Sequence, residues 1–169
     1  KTEGLSETYR QSKARLNFAV PLGYSCAGVI VGVGEGVENF SIGDKVVCTG
    51  SGYASHAEYI LVPEKFCEKK PEKVDFREAS FAALGGIALE AARLAKPGIG
   101  HRIAVIGLGI LGVLVTKFLK ANGCRVIGMD ISKTRIGQAL EMGCDQVIHT
   151  TSQDVLAACN NFSSGNGVD

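Results

Sequence analysis

The residues best suited to chemistry lie between positions 102 and 130, where three glycines follow an apolar run and precede an acid. Gly107, Gly109 and Gly112 have the spacing G-x-G-x-x-G. In such a loop the first glycine allows a tight turn, the second lets the backbone approach a pyrophosphate, and the third lets the helix pack closely on the strand. Unpaired amides at the start of that helix attract the negative charge of the diphosphate. The pattern therefore predicts a dinucleotide-binding loop.

An acidic residue at the end of the next predicted strand completes this pattern. Asp130 follows Gly107 by 23 positions, near the usual distance for the acid that accepts hydrogen bonds from the adenosine ribose. Its charge would repel a 2′-phosphate, so NAD is favoured over NADP, although Lys133 and Arg135 could hold a phosphate if their loop folded toward it. The predicted cofactor-binding residues are Gly107, Leu108, Gly109, Ile110, Leu111, Gly112, Asp130, Lys133 and Arg135.

The elements that must position this loop follow from the apolar pattern. Residues 103–106 predict a parallel strand that is covered on both faces and central in its sheet. Apolar residues at helical spacing between 75 and 96 predict two helical pieces with a hinge at Gly85-Gly86. After the loop, helices and strands alternate: a helix ending at Asn122-Gly123, a strand over 125–129, a helix over 132–142, a strand over 146–149 and a helix over 152–160.

The segment 21–63 has a different character, with β-branched runs and glycine-rich turns but no helical period. Strands are predicted over 29–31, 45–47 and 57–62. The glycines of 32–36 predict a turn, because polar residues follow them where a second nucleotide loop would need an apolar helix. This segment therefore predicts part of an all-β unit.

Composition and charge narrow the class of partner. The chain has 169 residues, 46% of them hydrophobic, which is enough for one substantial domain or parts of two. Its formal net charge of +1, without long charged runs, argues against a nucleic acid or a membrane surface and favours a small molecule. The polar segment 1–15 lacks the apolar centre of a signal peptide, so the cytoplasm is expected. Six scattered cysteines without a zinc-ligand spacing are interpreted as mostly buried thiols in a reducing compartment.

Several short motifs together resemble the medium-chain dehydrogenase/reductase superfamily. Besides the glycine-rich loop they are Gly23, Gly28, Gly32-Val33-Gly34-Glu35-Gly36-Val37, Gly43-Asp44-Lys45-Val46, His56-Ala57-Glu58-Tyr59 and Lys96-Pro97-Gly98. The resemblance covers most of the chain. It implies an α/β fold class, with a partial Rossmann nucleotide-binding domain preceded by part of a GroES-like β-rich catalytic domain and with substrate in the cleft between the two.

This resemblance also implies a domain organisation. We predict part of the GroES-like domain over 1–74, a helical connection over 75–100 and the first half of the Rossmann domain over 101–169. No second βαβ half follows, so the chain is expected to be a fragment that needs the missing flanking segments of its own polypeptide. The motifs at 21–25 and 52–58 resemble a bacterial bi-domain subgroup, in which a second oxidoreductase follows. Superfamily members often pair through the Rossmann sheet edge, which leaves a homodimer open.

Departures from the superfamily pattern concern its zinc sites. Zinc-dependent members carry Gly-His-Glu where this chain has Gly23-Tyr24-Ser25, and a neutral phenol is a poor zinc ligand. A second ligand position falls near Leu84-Gly85-Gly86, which offers no ligating side chain. The cysteine-rich structural lobe is missing, since residues 48–52 pass directly into 53–59. We therefore expect no zinc.

Without a metal, hydride transfer needs another group to polarise the substrate carbonyl or to supply a proton. Tyr24 is a candidate, with Ser25 supporting it, and His56 is another because of its intrinsic pKa. Each also has a simpler interpretation, namely a tyrosine packed at a strand end and a hydrogen-bonded histidine at a strand start.

The sequence thus favours a zinc-independent NAD(P)-dependent oxidoreductase that transfers hydride between the nicotinamide and a carbonyl or alcohol. The suspected subgroup adds a sugar-related substrate as a further hint. Two alternatives stay open: a non-catalytic NAD-binding sensor or structural module, and a fragment that folds only with its missing halves.

Overall fold

The structure is a computed structural model that describes residues 4, 9, 10, 13 and 21–169. It divides into two compact units, Lys1–Ala83 and Leu84–Asp169. Most of the segment 1–15, on which the prediction of no signal peptide rests, lies outside the described residues. Over the described part, every helix is too short or too polar to cross a membrane. The boundary between the units falls between the predicted domain limits at 74 and 100, which stay predictions.

The first unit is built on a three-stranded antiparallel sheet in the order β1-β2-β3, so β2 is central. Its strands are β1 (Ser25–Val29), β2 (Lys45–Thr49) and β3 (Cys67–Lys69), and a 3₁₀ turn over Glu64–Phe66 leads into β3. Val46, Cys48 and Ala54 form the buried core of this unit. The glycines of 32–36 lie in a turn, as predicted, with Gly36 at a φ of +79°.

Two strand predictions in this unit are wrong. The first strand ends at Val29 instead of Val31, because its register with β2 runs from Ser25 opposite Thr49 to Val29 opposite Lys45. Residues 57–62 are irregular, and the third strand is Cys67–Lys69. Alternation of apolar residues indicates which side chains face a core, but it does not indicate which segment pairs with which strand. Here β2 pairs with β3 as its second partner, and not with residues 57–62.

Two helical pieces follow, α1 (Phe76–Ala79) and α2 (Ala82–Leu94), but the break lies at Ser80-Phe81 and not at the predicted hinge Gly85-Gly86. Asp75 begins α1 through a capping box with Glu78, and at the break the Ser80 carbonyl and the Ala83 N–H are hydrogen-bonded to the Ser25 hydroxyl. Both glycines lie inside α2 with open space beside them, so the helix tolerates them there.

The second unit alternates strand and helix around a parallel sheet in the order β4-β5-β6. Its elements are β4 (Arg102–Ile106), α3 (Ile110–Ala121), β5 (Arg125–Asp130), α4 (Lys133–Glu141), β6 (Gln146–His149) and α5 (Val155–Phe162). Successive residues of β5 point to opposite faces of the sheet: Val126 packs with Leu119 and Ala139 of α3 and α4, while Ile127 packs with Phe162 of α5. Helices therefore cover both faces of the central strand β5.

One detail of this unit differs from the sequence prediction, the start of its last helix. Over the described residues β4 pairs with β5 on one side, and on its other side the Arg102 carbonyl accepts a hydrogen bond from the Asp169 N–H at 2.9 Å, so its central position stays a prediction. Its apolar run agrees with coverage on both faces, because Val105 and Ala104 pack into different core clusters. The last helix begins at Val155 and not near 152, because the Asp154 side chain accepts a hydrogen bond from the Ala157 N–H and caps the helix there.

Candidate functional site

The glycine-rich loop joins β4 to α3 at the carboxyl end of the parallel sheet. Gly107 has a φ of +89°, which favours glycine, and its N–H donates to the Met129 carbonyl at 2.8 Å. Gly109 is the N-cap of α3 and supplies no side-chain acceptor to the first turn of the helix. No heavy atom lies within 4 Å of the place where a Cβ on Gly109 would stand. No side chain therefore caps this helix N-terminus, which is where the glycine spacing predicts that a pyrophosphate binds.

The third glycine holds the helix close to the strand. A Cβ on Gly112 would stand 1.9 Å from the Gly107 carbonyl oxygen, a backbone atom that cannot move aside without changing the turn. Gly128 on β5, which the sequence analysis did not single out, has a related function. A Cβ there would stand 2.8 Å from a methyl carbon of Leu108, so its absence lets that buried side chain fill the core beneath the loop.

Asp130 lies at the end of β5 and is 6% exposed. Its Oδ2 accepts a hydrogen bond from the Leu108 N–H at 2.8 Å, and its Oδ1 accepts one from the Ser132 N–H at 2.8 Å. The first bond ties the acid directly to the glycine-rich loop. The sequence analysis predicted ribose binding for Asp130 but missed this contact across the sheet; only the contact with Ser132, two residues on, has a local sequence signal, the Asx turn.

The surroundings of Asp130 favour its charged form. The Leu108 N–H and then the Ser132 N–H lower the pKa of this carboxyl below its ordinary value, burial opposes them, and Arg135 adds a smaller lowering effect. The Arg135 guanidinium lies 3.7 Å from Oδ2 and remains half exposed. Lys133 is exposed on the first turn of α4. Of the two predicted phosphate-binding cations, one is thus already paired with the acid.

Tyr24 and His56, the two candidate acids, lie on neighbouring segments of the first unit. Tyr24 immediately precedes β1 and is 41% exposed, and no described residue hydrogen-bonds to its hydroxyl. The His56 N–H donates to the Leu22 carbonyl at 2.7 Å, and its ring lies against Gly23, where a Cβ would stand 2.3 Å from the ring carbon Cδ2. Glycine at position 23 therefore leaves room for the His56 ring against the residue that precedes Tyr24.

Ser25 is placed differently from its predicted support of Tyr24. Its hydroxyl donates to the Ser80 carbonyl at 2.6 Å and accepts from the Ala83 N–H at 3.3 Å. Both partners lie where α1 gives way to α2, so Ser25 anchors the start of β1 to these helices. Because its one proton is used in this bridge, Ser25 positions the backbone beside Tyr24.

The positions where the resemblance places zinc ligands offer poor donors in the structure. Tyr24 presents a phenol, and the Ser25 hydroxyl is engaged with backbone groups. Leu84-Gly85-Gly86 lies inside α2 and has no atom that ligates a metal. Across residues 21–169 and the four described residues before them, no group of three or more His, Cys, Asp or Glu is arranged to hold a metal ion.

Both halves of the chain match known families. Residues 4–72 match the family described as alcohol dehydrogenase GroES-like domain, and residues 111–169 match the family described as zinc-binding dehydrogenase. These matches confirm the predicted fold class, a GroES-like part followed by a nucleotide-binding parallel sheet.

Individual relatives agree with these matches. (R,R)-Butanediol dehydrogenase of Bacillus subtilis is 30% identical over 174 residues, covering 89% of this chain and 50% of that protein. Sorbitol dehydrogenase of Bacillus subtilis is 26% identical, covering 88% of this chain and 50% of that protein. The crystal structure of galactitol-1-phosphate dehydrogenase from Escherichia coli aligns with a TM-score of 0.80 at 23% identity, over 96% of this chain and 55% of that one, and shows the fold alone. The chain spans about half the length of the curated relatives that it matches.

Proposed function

Because this chain belongs to the medium-chain dehydrogenase/reductase superfamily, we propose that the protein is a NAD(P)-dependent oxidoreductase acting on a carbonyl or alcohol. Bound cofactor supplies or accepts the hydride at its nicotinamide ring, and the chain's own residues bind and orient it. The relatives named for butanediol and sorbitol support a polyol or sugar-related alcohol as the substrate class.

The observation that carries this proposal is the contact between Asp130 and the glycine-rich loop. The Leu108 N–H bond to Oδ2 fixes the distance between the loop and the acid. An open helix N-terminus beside Gly109 would receive the pyrophosphate, and the remaining acceptor positions of the carboxylate would receive the ribose. A loop and an acid that the protein's own hydrogen bond holds together lose less conformational freedom on binding.

NAD is the preferred cofactor in this proposal. The nearly buried carboxylate of Asp130 keeps its charge, since its pKa is lowered, and a 2′-phosphate beside it would be repelled. Arg135 already pairs with that carboxylate, so only exposed Lys133 would remain as an unpaired cation for a phosphate. The balance of charge next to the ribose position thus favours two free hydroxyls.

We also propose that the chemistry proceeds without catalytic zinc. The donor set at 23–25 and 84–86 does not fit the metal, so a side-chain hydroxyl has to polarise the substrate oxygen. Tyr24 is the best placed group, because it is exposed and its hydroxyl is not engaged by any described residue. His56 would act beside it as a proton relay, and Ser25 would hold the strand start in position.

The decisive experiment measures NAD binding to the full-length protein by calorimetry, with Gly109→Val as the test variant. Valine would place two methyl groups where the pyrophosphate must approach, and the dissociation constant should rise at least tenfold, about 1.4 kcal/mol. Gly137→Val is the matched control, because this glycine of α4 also has open space beside it but lies outside the loop. An unchanged affinity of Gly109→Val would refute the proposed site.

Turnover distinguishes the enzyme from a non-catalytic sensor. NADH and NAD are supplied to the wild-type protein with a panel of aldehydes, ketones and polyols, and oxidation or reduction of the cofactor is followed by absorbance. Tight binding of the cofactor without turnover of any substrate would favour the sensor. No contact among the described residues favours a sensor over an enzyme.

A further inference from the structure

Three cysteines form a row across the antiparallel sheet of the first unit. Cys26 on β1 lies opposite Cys48 on β2, and Cys48 lies opposite Cys67 on β3. All three are free thiols. Cys48 and Cys67 are close, with 3.6 Å between their Sγ atoms.

The register makes the pair Cys48 and Cys67 suited to a disulfide. The Lys70 N–H donates to the Lys45 carbonyl, so positions 45 and 70 form a hydrogen-bonded pair. Pair types alternate along an antiparallel ladder, which makes Cys48 and Cys67, three positions on, a non-hydrogen-bonded pair. Side chains approach each other most closely at such pairs, at a Cα separation of about 4.5 Å that lies within the disulfide range. Cys26 and Cys48, in contrast, form a hydrogen-bonded pair, because the Gly50 N–H donates to the Tyr24 carbonyl two positions away.

Access to the two thiols is unequal. Cys48 is 7% exposed, while Cys67 is half-buried. All three cysteines line an apolar cleft of about 270 Å³, but Cys67 alone of them also lines an open surface pocket beside Lys65 and Lys69. A small reagent in that surface pocket can therefore reach Cys67 and not Cys48.

We infer that Cys48 and Cys67 form a dithiol modification site that reacts with low-molecular-weight disulfides to give a reversible disulfide between β2 and β3. The Cys67 thiolate attacks one sulfur of the reagent, forms a mixed disulfide and releases one thiolate. Cys48 then loses its proton, attacks the Cys67 sulfur and releases the second thiolate. Two protein thiols are oxidised and one small disulfide is reduced to two thiols.

The environment of Cys48 agrees with the proposed order, in which Cys67 attacks first. Burial, and then the neighbouring Cys67 thiol, raise the pKa of Cys48 far above its ordinary value, so Cys48 is a poor first nucleophile toward a reagent in solution. Once Cys67 carries the mixed disulfide, Cys48 needs only a side-chain rotation to reach it. Because Cys48 is then next to the mixed disulfide, its high effective concentration compensates for its small thiolate fraction.

The disulfide would close the loop between residues 48 and 67, which carries His56. Cross-linking this loop restricts the unfolded chain and stabilises the folded loop. Under the proposed function, the modification therefore stabilises the segment that positions a candidate proton relay beside Tyr24. Formation of the disulfide itself does not depend on that function.

The test treats the full-length protein with glutathione disulfide, blocks remaining thiols and maps tryptic peptides by mass spectrometry. Cleavage after Lys45, Lys65 and Lys69 separates the two cysteines, so the expected product is peptide 46–65 linked to peptide 66–69, released by dithiothreitol. Oxidation should raise the melting temperature by about 5 °C or more in the wild type. Cys26→Ser should keep both effects, and Cys67→Ser should lose both.

Three outcomes would overturn the inference. They are a link between peptides 16–45 and 46–65, which would assign the reaction to Cys26; stable mixed disulfides without a cross-link; and complete blocking of both cysteines after oxidation. Peptide mapping of the wild type decides among them even if the Cys67→Ser variant does not fold. None of these results bears on NAD affinity, so the cofactor proposal stands or falls separately.

Discussion

The glycine-rich loop at 107–112 and the catalytic candidates around Tyr24 are built by different means. The loop acts through backbone groups: a positive φ at Gly107, an uncapped helix start at Gly109 and a backbone contact that only glycine permits at Gly112. The candidates are side chains from separate segments, Tyr24 before β1 and His56 in the loop after β2, and the His56 ring lies against Gly23. A motif made of backbone geometry can be recognised from local sequence, whereas a group of side chains from distant positions cannot.

The same contrast appears in the polar residues next to each region. Asp130 uses both carboxylate oxygens to hold backbone amides and is expected to contact the ligand as well. Ser25 uses its hydroxyl for backbone contacts alone. Both polar side chains thus hold backbone groups in place, and for Asp130 alone a ligand contact is also predicted.

The largest expected effect on stability and cofactor binding is at Gly112, the position of the loop with the closest backbone contact. Gly112→Ala would force a Cβ against the Gly107 carbonyl, and we expect a loss of about 3 kcal/mol in the free energy of unfolding together with the loss of NAD binding. Urea unfolding and calorimetry of the full-length protein measure both. Gly137→Ala, at an open helical position, should gain up to about 1 kcal/mol. Equal behaviour of the two variants would show that the loop does not need its close helix contact.

A substitution at Tyr24 tests the second region, the catalytic candidates of the first unit. Tyr24→Phe should leave NAD affinity unchanged and lower kcat about 100-fold, because a hydrogen-bond donor to the substrate oxygen is lost. Tyr59→Phe, at a tyrosine that is 77% exposed, is the matched control. Exhaustive chelation of the wild type should leave kcat unchanged. A metal-dependent activity that Tyr24→Phe does not affect would instead assign the chemistry to a metal.

A smaller effect is expected at Asp130, which links the loop to β5. Asp130→Asn removes the charge and one of the two acceptors, so the dissociation constant for NAD should rise about tenfold, with a smaller preference over NADP. Asp145→Asn is the matched control, because Asp145 also accepts a backbone N–H, from Val126 at 2.6 Å, and pairs with Lys120. It should cost stability without changing cofactor affinity.

The pH dependence of stability provides an independent check on Asp130. Its pKa is lower in the folded than in the unfolded protein, where it is about 3.9, so the carboxylate stabilises the fold above that pH and loses this contribution as the pH falls through the folded value. The difference in melting temperature between wild type and Asp130→Asn should therefore shrink as the pH falls below about 4. A constant difference would mean that Asp130 has an ordinary pKa.

Local patterns predicted most of the second unit because its strands, helices and turns follow from short-range chemistry. The helix that begins after Gly109 and the turns at Gly123 and Gly143 lie within a residue or two of their predicted places. The break at Ser80-Phe81 was missed because its backbone groups are hydrogen-bonded by Ser25, more than 50 positions earlier, and no local pattern marks that contact. The strand Cys67–Lys69 was missed because its pairing with β2 is a long-range choice.

The sequence by itself determined the glycine spacing, the order of strands and helices around it and the absence of ligating residue types at 23–25 and 84–86. These features depend on neighbours within a few turns of chain. Only the tertiary structure decided that Asp130 binds the loop, that Ser25 bridges to the helices, and that Cys48 and Cys67 face each other. Each of these contacts joins residues at least 19 positions apart, and the packing that brings such residues together has no local pattern.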